Sequence, residues 1–347
     1  MRALFKEAQP GARLIDAPVP TPGYGEVLVK VMATSICGTD MHIYNWDAWA
    51  RSRFPAPMIF GHEMTGEVVD VGPGVNPDMV KVGDHVSAET HIACGHCYQC
   101  RTGRKHICQT LKILGVDTPG VFAEYVVIPA ENAWVNDPDM PWEIASLQEP
   151  FGNAVQTVLA GPGVSSKTVL VTGCGPIGLM AVQVARASGA SLIIATDVNE
   201  KRLALAQQMG ADLTVNPKER DVIRAVLDAT RGNGVDALLE FSGNQTAIRQ
   251  GFQSLTFGGH ASLLGIPAGA IEFDLANDIV FKAATVIGIS GRKMFETWYQ
   301  VRELVTSGKV DLRSVISHHV PMTRFEEVFE AVRRGEAIKP VMLPQEA

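Results

Sequence analysis

The chain has 347 residues, 46% of them hydrophobic and 19% charged, with 30 Lys and Arg against 37 Asp and Glu for a formal charge of −7. That length exceeds what one core organises, so two domains are expected, and the acidic balance argues against a general attraction to nucleic-acid phosphates. No apolar run approaches the roughly 18 residues of a membrane span, and the amino terminus MRALFKEAQPG lacks the apolar region of a secretory signal, so no membrane partner and a thiol-reducing, cytoplasmic setting are expected.

From about residue 25 to 150, EVLVKVMAT, TGEVVDVG, DHVSAETHI and FAEYVVI read as short strands punctuated by glycine and proline, several with one polar face. Ligand-type residues lie among them. SICGTDMHIYNWDAW holds Cys37, Thr39, Asp40 and His42, and IFGHEMTGEVVDVG holds His62 and Glu63. A thiolate, an imidazole and a carboxylate arriving from separate turns suit zinc, and three protein ligands leave the replaceable position that chemistry requires. CGHCYQCRTGRKHIC then gathers Cys94, Cys97, Cys100 and Cys108 into fifteen residues. Four thiols so close are disulfides, a metal site, an iron–sulfur cluster or a redox motif, and a reducing compartment favours metal over disulfides. Arg101, Arg104 and Lys105 in the same segment raise a nucleic-acid-binding zinc ribbon as a rival, but basic and aromatic residues do not continue around the cysteines.

After Gly152 the pattern becomes βαβα. TVLVTGCGPIGLM places Gly173, Gly175 and Gly178 between an apolar run and a helix-period stretch, and a second apolar run ends at Asp197, nineteen residues after Gly178. The first glycine permits the turn, the second lets a pyrophosphate approach the backbone, and the third lets helix and strand pack closely. Asp197 can accept from both ribose hydroxyls and would repel a 2′-phosphate, which favours NAD; Arg202 nearby could soften that preference. Cys174 in the turn reads as a small residue that fits. GVDALLEFSGN, ASLLGI and TVIGISG supply further strands, with QTAIRQGFQSL helical between the first two. The helical KMFETWYQVRELVTSG leads into HHVPMTRFEEVFEAVRRGEAIKPVML, whose final strand could return to the first unit.

CGTDMHIY, GHEMTGEVVDVG, VGDHV, the four-cysteine segment, GVFAEYVVIP, GCGPIGL and TDVNEKRL fall in an order that resembles the zinc-dependent medium-chain alcohol dehydrogenases over essentially the whole chain. The resemblance implies an α/β fold: a discontinuous β-rich GroES-like catalytic domain, residues 1–152 and 293–347, and a Rossmann-type doubly wound parallel sheet, residues 153–292. HIYNWDAWA, LQEPFGNAV and GRKMFETWY are similar to the members that oxidise the β-hydroxyl of L-threonine with NAD to 2-amino-3-ketobutyrate. A polyol such as sorbitol, or a short diol, is the alternative substrate within the same family, and a member that kept the fold and lost activity is a third possibility.

Carried over to this sequence, the resemblance implies that Cys37, His62 and Glu63 hold a catalytic zinc, with Glu149 a further ligand or nearby base. It implies that Thr39 and His42 relay the proton with a cofactor ribose hydroxyl, and that Cys94, Cys97, Cys100 and Cys108 hold a structural zinc. Four sulfur ligands leave no vacant position, which agrees with a structural role, and an iron–sulfur cluster finds no partner chemistry in the chain. Ile177, Asp197, Arg202, Leu264, Gly265, Ile266, Ile289 and Ser290 match cofactor positions, and His91 matches one that recognises the amino-acid substrate. The substrate ammonium needs an acceptor, for which a carboxylate or carbonyl near His91 is the expectation. Gln156 and Ser290 depart from the family's usual residues, and a homotetramer is its usual assembly.

Overall fold

The first unit is Met1–Pro150 together with the chain from Ile316 onward; the second unit is Phe151–Val315. The computed structural model describes residues 1–346. In the first unit β1 (Arg2–Lys6) pairs with β2 (Arg13–Asp16) and, beyond the ten-residue β3 (Glu26–Ser35), with β4 (Met58–Ile59). Helices α1 (Gly38–Asn45) and α2 (Ala48–Arg53) lie between β3 and β4. Next come β5 (Glu63–Val71), β6 (His85–Ala88), β7 (His91–Ile92), α3 (Tyr98–Arg101), β8 (Lys112–Ile113), β9 (Tyr125–Pro129), β10 (Ala133–Val135) and α4 (Trp142–Ala145).

The EVLVKVMAT run is β3, at the centre of a seven-stranded sheet. It pairs antiparallel with β5 along nearly its whole length and with β9 over Glu26–Lys30. Every second residue from Val27 to Ala33 (Val27, Val29, Val31 and Ala33) is fully buried, while Lys30 and Met32 between them are half-buried, so one side of the strand faces the core. Phe60 and Phe122 meet edge-on at 4.9 Å in the core beneath, an arrangement aromatic pairs prefer.

Helix α5 (Gln148–Leu159) leads into the second unit, whose elements follow the βα alternation read from the sequence. They are β11 (Thr168–Thr172), α6 (Pro176–Ala187), β12 (Leu192–Thr196), α7 (Glu200–Gln208), β13 (Leu213–Val215), α8 (Val222–Ala229), β14 (Val235–Glu240), α9 (Gln245–Gln253), β15 (Leu255–Leu263), β16 (Thr285–Gly288) and α10 (Glu296–Thr306). The strands lie parallel in the order β13-β12-β11-β14-β15-β16. That order reverses between β11 and β14, where a doubly wound sheet opens a crevice at its carboxyl edge. Leu170, Ile194, Leu238 and Phe252 fill the core on this sheet.

The chain returns through β17 (Ile316–Pro321), α11 (Phe325–Arg333) and β18 (Lys339–Leu343). Strand β18 sits between β17 and β3, so the last strand does rejoin the first unit. The return begins at Ile316 and not at the expected residue 293. The reason is α10: its Trp298 is fully buried, the Arg292 guanidinium lies 5.6 Å from that ring, and Arg292 also donates to Asn153 at 3.4 Å, all within the second unit.

Candidate functional site

The pairing of β3 with β5 sets Ser35 opposite Glu63, so Cys37, two residues past the end of β3, lands beside His62 and Glu63 at the start of β5. Their ligand atoms lie within 4.8 Å of one another. Donors around a tetrahedral zinc stand roughly 3.3–3.8 Å apart, so only a small contraction is needed. Cys37 is also the N-cap of α1, and its backbone N–H donates to the Asp40 carboxylate at 2.8 Å. The other Asp40 oxygen stands 3.3 Å from His62 Nδ1, and Asp40 is fully buried. Burial alone would lower the His62 imidazole, but the Asp40 and Cys37 charges outweigh it and hold the ring well above its usual value.

Glu63 is fully buried and its two oxygens differ. Oε2 accepts from the Lys339 ammonium at the start of β18 and from the Ser35 hydroxyl, while Oε1 has no partner. Burial pulls Lys339 down, but the Glu63 and Cys37 charges outweigh it and keep the ammonium above its usual value. A buried carboxylate oxygen without a donor is costly. A cation answers that deficit, and the sulfur, nitrogen and oxygen donors fit zinc with one position left over.

Around this cluster the other expected residues take distinct places. Thr39 and His42 lie one turn apart on α1, and the exposed His42 Nδ1 meets Asp47 at 2.5 Å. Helix α1 is held by the fully buried Ile43, by Tyr44 stacked on Phe329 of α11 at 4.3 Å, and by the Lys6 ammonium. That ammonium donates to the carbonyls of Gln9, Gly11 and Tyr44. Glu149, 5% exposed, stands apart from the three-ligand set and accepts the Thr90 hydroxyl at 2.9 Å. His91, on β7, places its Nδ1 2.8 Å from Glu89 Oε1.

Cys94, Cys97, Cys100 and Cys108 form a second cluster whose donor atoms also lie within 4.8 Å of one another. Sulfur separations of 3.4 Å for Cys97–Cys100, 3.8 Å for Cys97–Cys108 and 4.0 Å for Cys94–Cys100 bracket the roughly 3.75 Å edge of a zinc–sulfur tetrahedron. Backbone N–H groups of His96 and Cys97 pull the Cys94 thiol down to about 5, and burial pushes Cys100 up to about 12. One ready thiolate beside a reluctant thiol is what a metal has to level, since ligands must be deprotonated to bind. All six cysteines are free of disulfides.

In the second unit β11 runs into Gly173, whose φ of +88° only glycine adopts cheaply, and a Cβ on Gly178 would stand 1.9 Å from the Gly173 carbonyl. A Cβ on Gly175 would meet nothing, so the backbone there is open to a ligand at the first turn of α6. A cavity of about 450 Å³ is lined by Gly173, Gly175, Asp197, Arg202, Phe241 and Asn244, among others. Asp197 is fixed by the backbone N–H groups of Cys174 at 2.8 Å and Asn199 at 2.9 Å, with Arg202 3.9 Å away. Burial pushes the Cys174 thiol up, in keeping with a small filler residue. Ile177 lies in the first turn of α6. Leu264, Gly265 and Ile266 follow β15, and Ile289 and Ser290 follow β16, at the carboxyl ends of their strands. An open glycine turn, a fixed acidic residue and a cavity of this size fit a dinucleotide.

Sequence reasoning missed Lys339, Asp47 and Glu89, and gave Asp40 no role. Asp40 carried a local signal, an acid three residues past an N-cap. Lys339 carried none, because it meets Glu63 from 276 positions away.

The alcohol dehydrogenase GroES-like domain family matches residues 23–139, and the zinc-binding dehydrogenase family matches residues 176–307. An L-threonine 3-dehydrogenase of Pyrococcus abyssi is 54% identical over 334 residues, covering 96% of this chain and 95% of the relative. One of Bacillus licheniformis is 52% identical over 345 residues, covering 99% of each. Among solved structures, 2R,3R-butanediol dehydrogenase from Bacillus subtilis superposes with a TM-score of 0.90 at 30% identity, covering 99% of each chain.

Proposed function

The chain belongs to the zinc-dependent medium-chain alcohol dehydrogenases, and from that premise we propose that it oxidises the β-hydroxyl of L-threonine with NAD, giving 2-amino-3-ketobutyrate and NADH. The observation that carries the chemistry is the buried cluster of Cys37, His62 and Glu63 with its unpartnered Glu63 oxygen. Identities of 49–54% to L-threonine 3-dehydrogenases over nearly the full length support the choice of substrate.

Cys37, His62 and Glu63 would hold a zinc ion that supplies a Lewis acid to ease loss of the hydroxyl proton, and NAD would supply the hydride acceptor. Cys37 and Glu63 offer two negative donors, and Asp40 orients the His62 ring. Thr39 and His42 then pass the proton outward, since a hydroxyl and an imidazole can each accept and donate. Asp47 steadies the outer end of that path. Glu149 stands close enough to bear electrostatically on Glu63 and serves as the nearby base. His91 recognises the amino-acid part of the substrate. Gly173, Gly175 and Gly178 cradle the pyrophosphate, and Asp197 selects NAD over a 2′-phosphorylated cofactor. The cysteine quartet would hold the structural zinc.

A homotetramer acting in the cytoplasm is the finer reading. It is supported by the free cysteines and by β16, a sheet-edge strand whose Val286 is exposed along with the neighbouring Leu275, Val280 and Phe281. No helix among the described residues is long and apolar enough to cross a membrane.

The test is NADH formation by the purified chain with NAD and either L-threonine or sorbitol, with and without a zinc chelator. Turnover of L-threonine that the chelator abolishes is expected; faster turnover of sorbitol would move the chain to the polyol branch.

A further inference from the structure

Glu89, Thr90 and His91 are consecutive, and each is less than a tenth exposed. Glu89 is completely buried, and its Oε1 accepts both the backbone N–H and the Nδ1 of His91 at 2.8 Å. A carboxylate oxygen that already takes a backbone N–H is an acceptor, so the ring nitrogen facing it carries the proton. That leaves Nε2, which has no hydrogen bond among the described residues, as the ring's acceptor, on a side chain one-tenth exposed. The backbone around the pair is stapled: Asn132 Nδ2 donates to the carbonyls of Glu89 at 2.7 Å and His91 at 2.9 Å, and the Asn132 carbonyl accepts from the Glu89 N–H at 2.8 Å. Thr90, between them, turns its hydroxyl to Glu149. Glu89 within the tripeptide and Glu149 on Thr90 thus place two buried acidic side chains at this turn.

We propose that Glu89 is a positioning residue that fixes the Nδ1–H tautomer of His91, so that Nε2 accepts a hydrogen bond from the α-ammonium group of the substrate. Fully buried, Glu89 cannot reach the ammonium itself; its charge acts through the ring. The inference rests on the reading of the substrate as an amino acid.

The test compares wild type with Glu89→Gln, which keeps the shape and removes the charge. Three quantities are read: KM and kcat for L-threonine, the inhibition constant of 1-aminopropan-2-ol, which keeps the amine and lacks the carboxylate, and that of 3-hydroxybutanoate, which keeps the carboxylate and lacks the amine. Hydrogen bonds to charged groups contribute enough that KM for L-threonine and the constant for the amine should rise about tenfold or more. The constant for 3-hydroxybutanoate should stay put, and kcat should change far less than KM. A rise confined to 3-hydroxybutanoate, or a fall in kcat at unchanged KM, overturns the assignment. Nitrogen-15 NMR of wild-type His91 at alkaline pH gives a second reading that survives a variant that fails to fold: Nδ1 should carry the proton, and an Nε2–H ring overturns the proposal. Should the wild type oxidise butane-2,3-diol and leave L-threonine untouched, the substrate reading falls, and the tautomer alone decides the role of Glu89.

Discussion

At the scale of single residues, the arrangement of Glu63 makes a prediction about metal and stability together. One of its oxygens is engaged by Lys339 and Ser35 and the other is unpartnered, so a zinc ion bound there would share the carboxylate with a fixed internal cation. Lys339 also donates to the Ile36 carbonyl at 3.0 Å, tying the start of β18 to the end of β3. Removing one partner of a buried pair typically costs about 3–5 kcal/mol, because the other charge is left uncompensated. Lys339→Met should therefore unfold at a lower temperature than wild type when zinc is stripped, and zinc should restore more stability to the variant than to wild type. Equal gains on adding zinc, read by thermal unfolding, would mean that Lys339 and the metal do not share Glu63. No sequence pattern announces this lysine. It lies in KPVML, which reads only as a terminal strand, and it acquires its meaning from the sheet that β18 enters.

Among the elements, the four-cysteine lobe shows most clearly what spacing can and cannot reveal. The ligand set was legible because all four thiols come from one short segment. What the lobe does for its neighbours was not, since that depends on the pairing of β7 with β8, which joins His91 to Ile113 and Ile92 to Lys112 across the base of the lobe. The metal knot thus closes just beyond the residue assigned to the substrate. Between Cys94 and Cys108 only Cys100 and Cys108 are buried, so the segment has no apolar core of its own. Cys97→Ser should lose one zinc per chain by elemental analysis and become open to proteolysis between residues 94 and 113, with KM for L-threonine rising as β7 loosens. A variant that keeps two zinc ions and resists protease yet loses turnover would place the chemistry in the lobe after all. The strands themselves were largely readable: EVLVKVMAT became β3 and TGEVVDVG most of β5, because buried strands leave apolar runs that composition alone exposes. Segment 293–306, expected with the first unit, groups here with the second, and helix period by itself says nothing about which unit a helix joins.

For the whole molecule, acid stability follows from a polar seam inside the first unit. His85 is 6% exposed, meets the Thr65 hydroxyl at 2.8 Å, and lies 4.1 Å from the Trp142 ring. Burial lowers its imidazole from the usual 6.5 to about 4. The unfolded chain therefore takes up the proton first as pH falls. The stability tied to a neutral His85 is intact above pH 6.5 and drains away down to about pH 4, by up to ~1.4 kcal/mol per pH unit. His85→Gln, which cannot titrate, should show a smaller loss of urea midpoint than wild type between pH 7 and pH 4.5. Parallel losses in the two proteins would assign acid sensitivity to other groups, the zinc thiolates first among them.

The position of β18 has a consequence for how the protein is made. A ribosome delivers residues at about 5–20 per second, and domains tend to fold as units while the rest is still being synthesised. Phe151–Val315 is a continuous stretch and can close as soon as it has emerged, whereas the sheet of the first unit waits for Lys339–Leu343, which is made after that stretch. Until then β3 lacks its partner at Thr34 and Ser35, and Glu63 lacks its ammonium. The metal pocket is thus completed after the nucleotide unit, and a message stopped before codon 339 would yield a nascent chain with its nucleotide unit whole and its metal pocket unfinished.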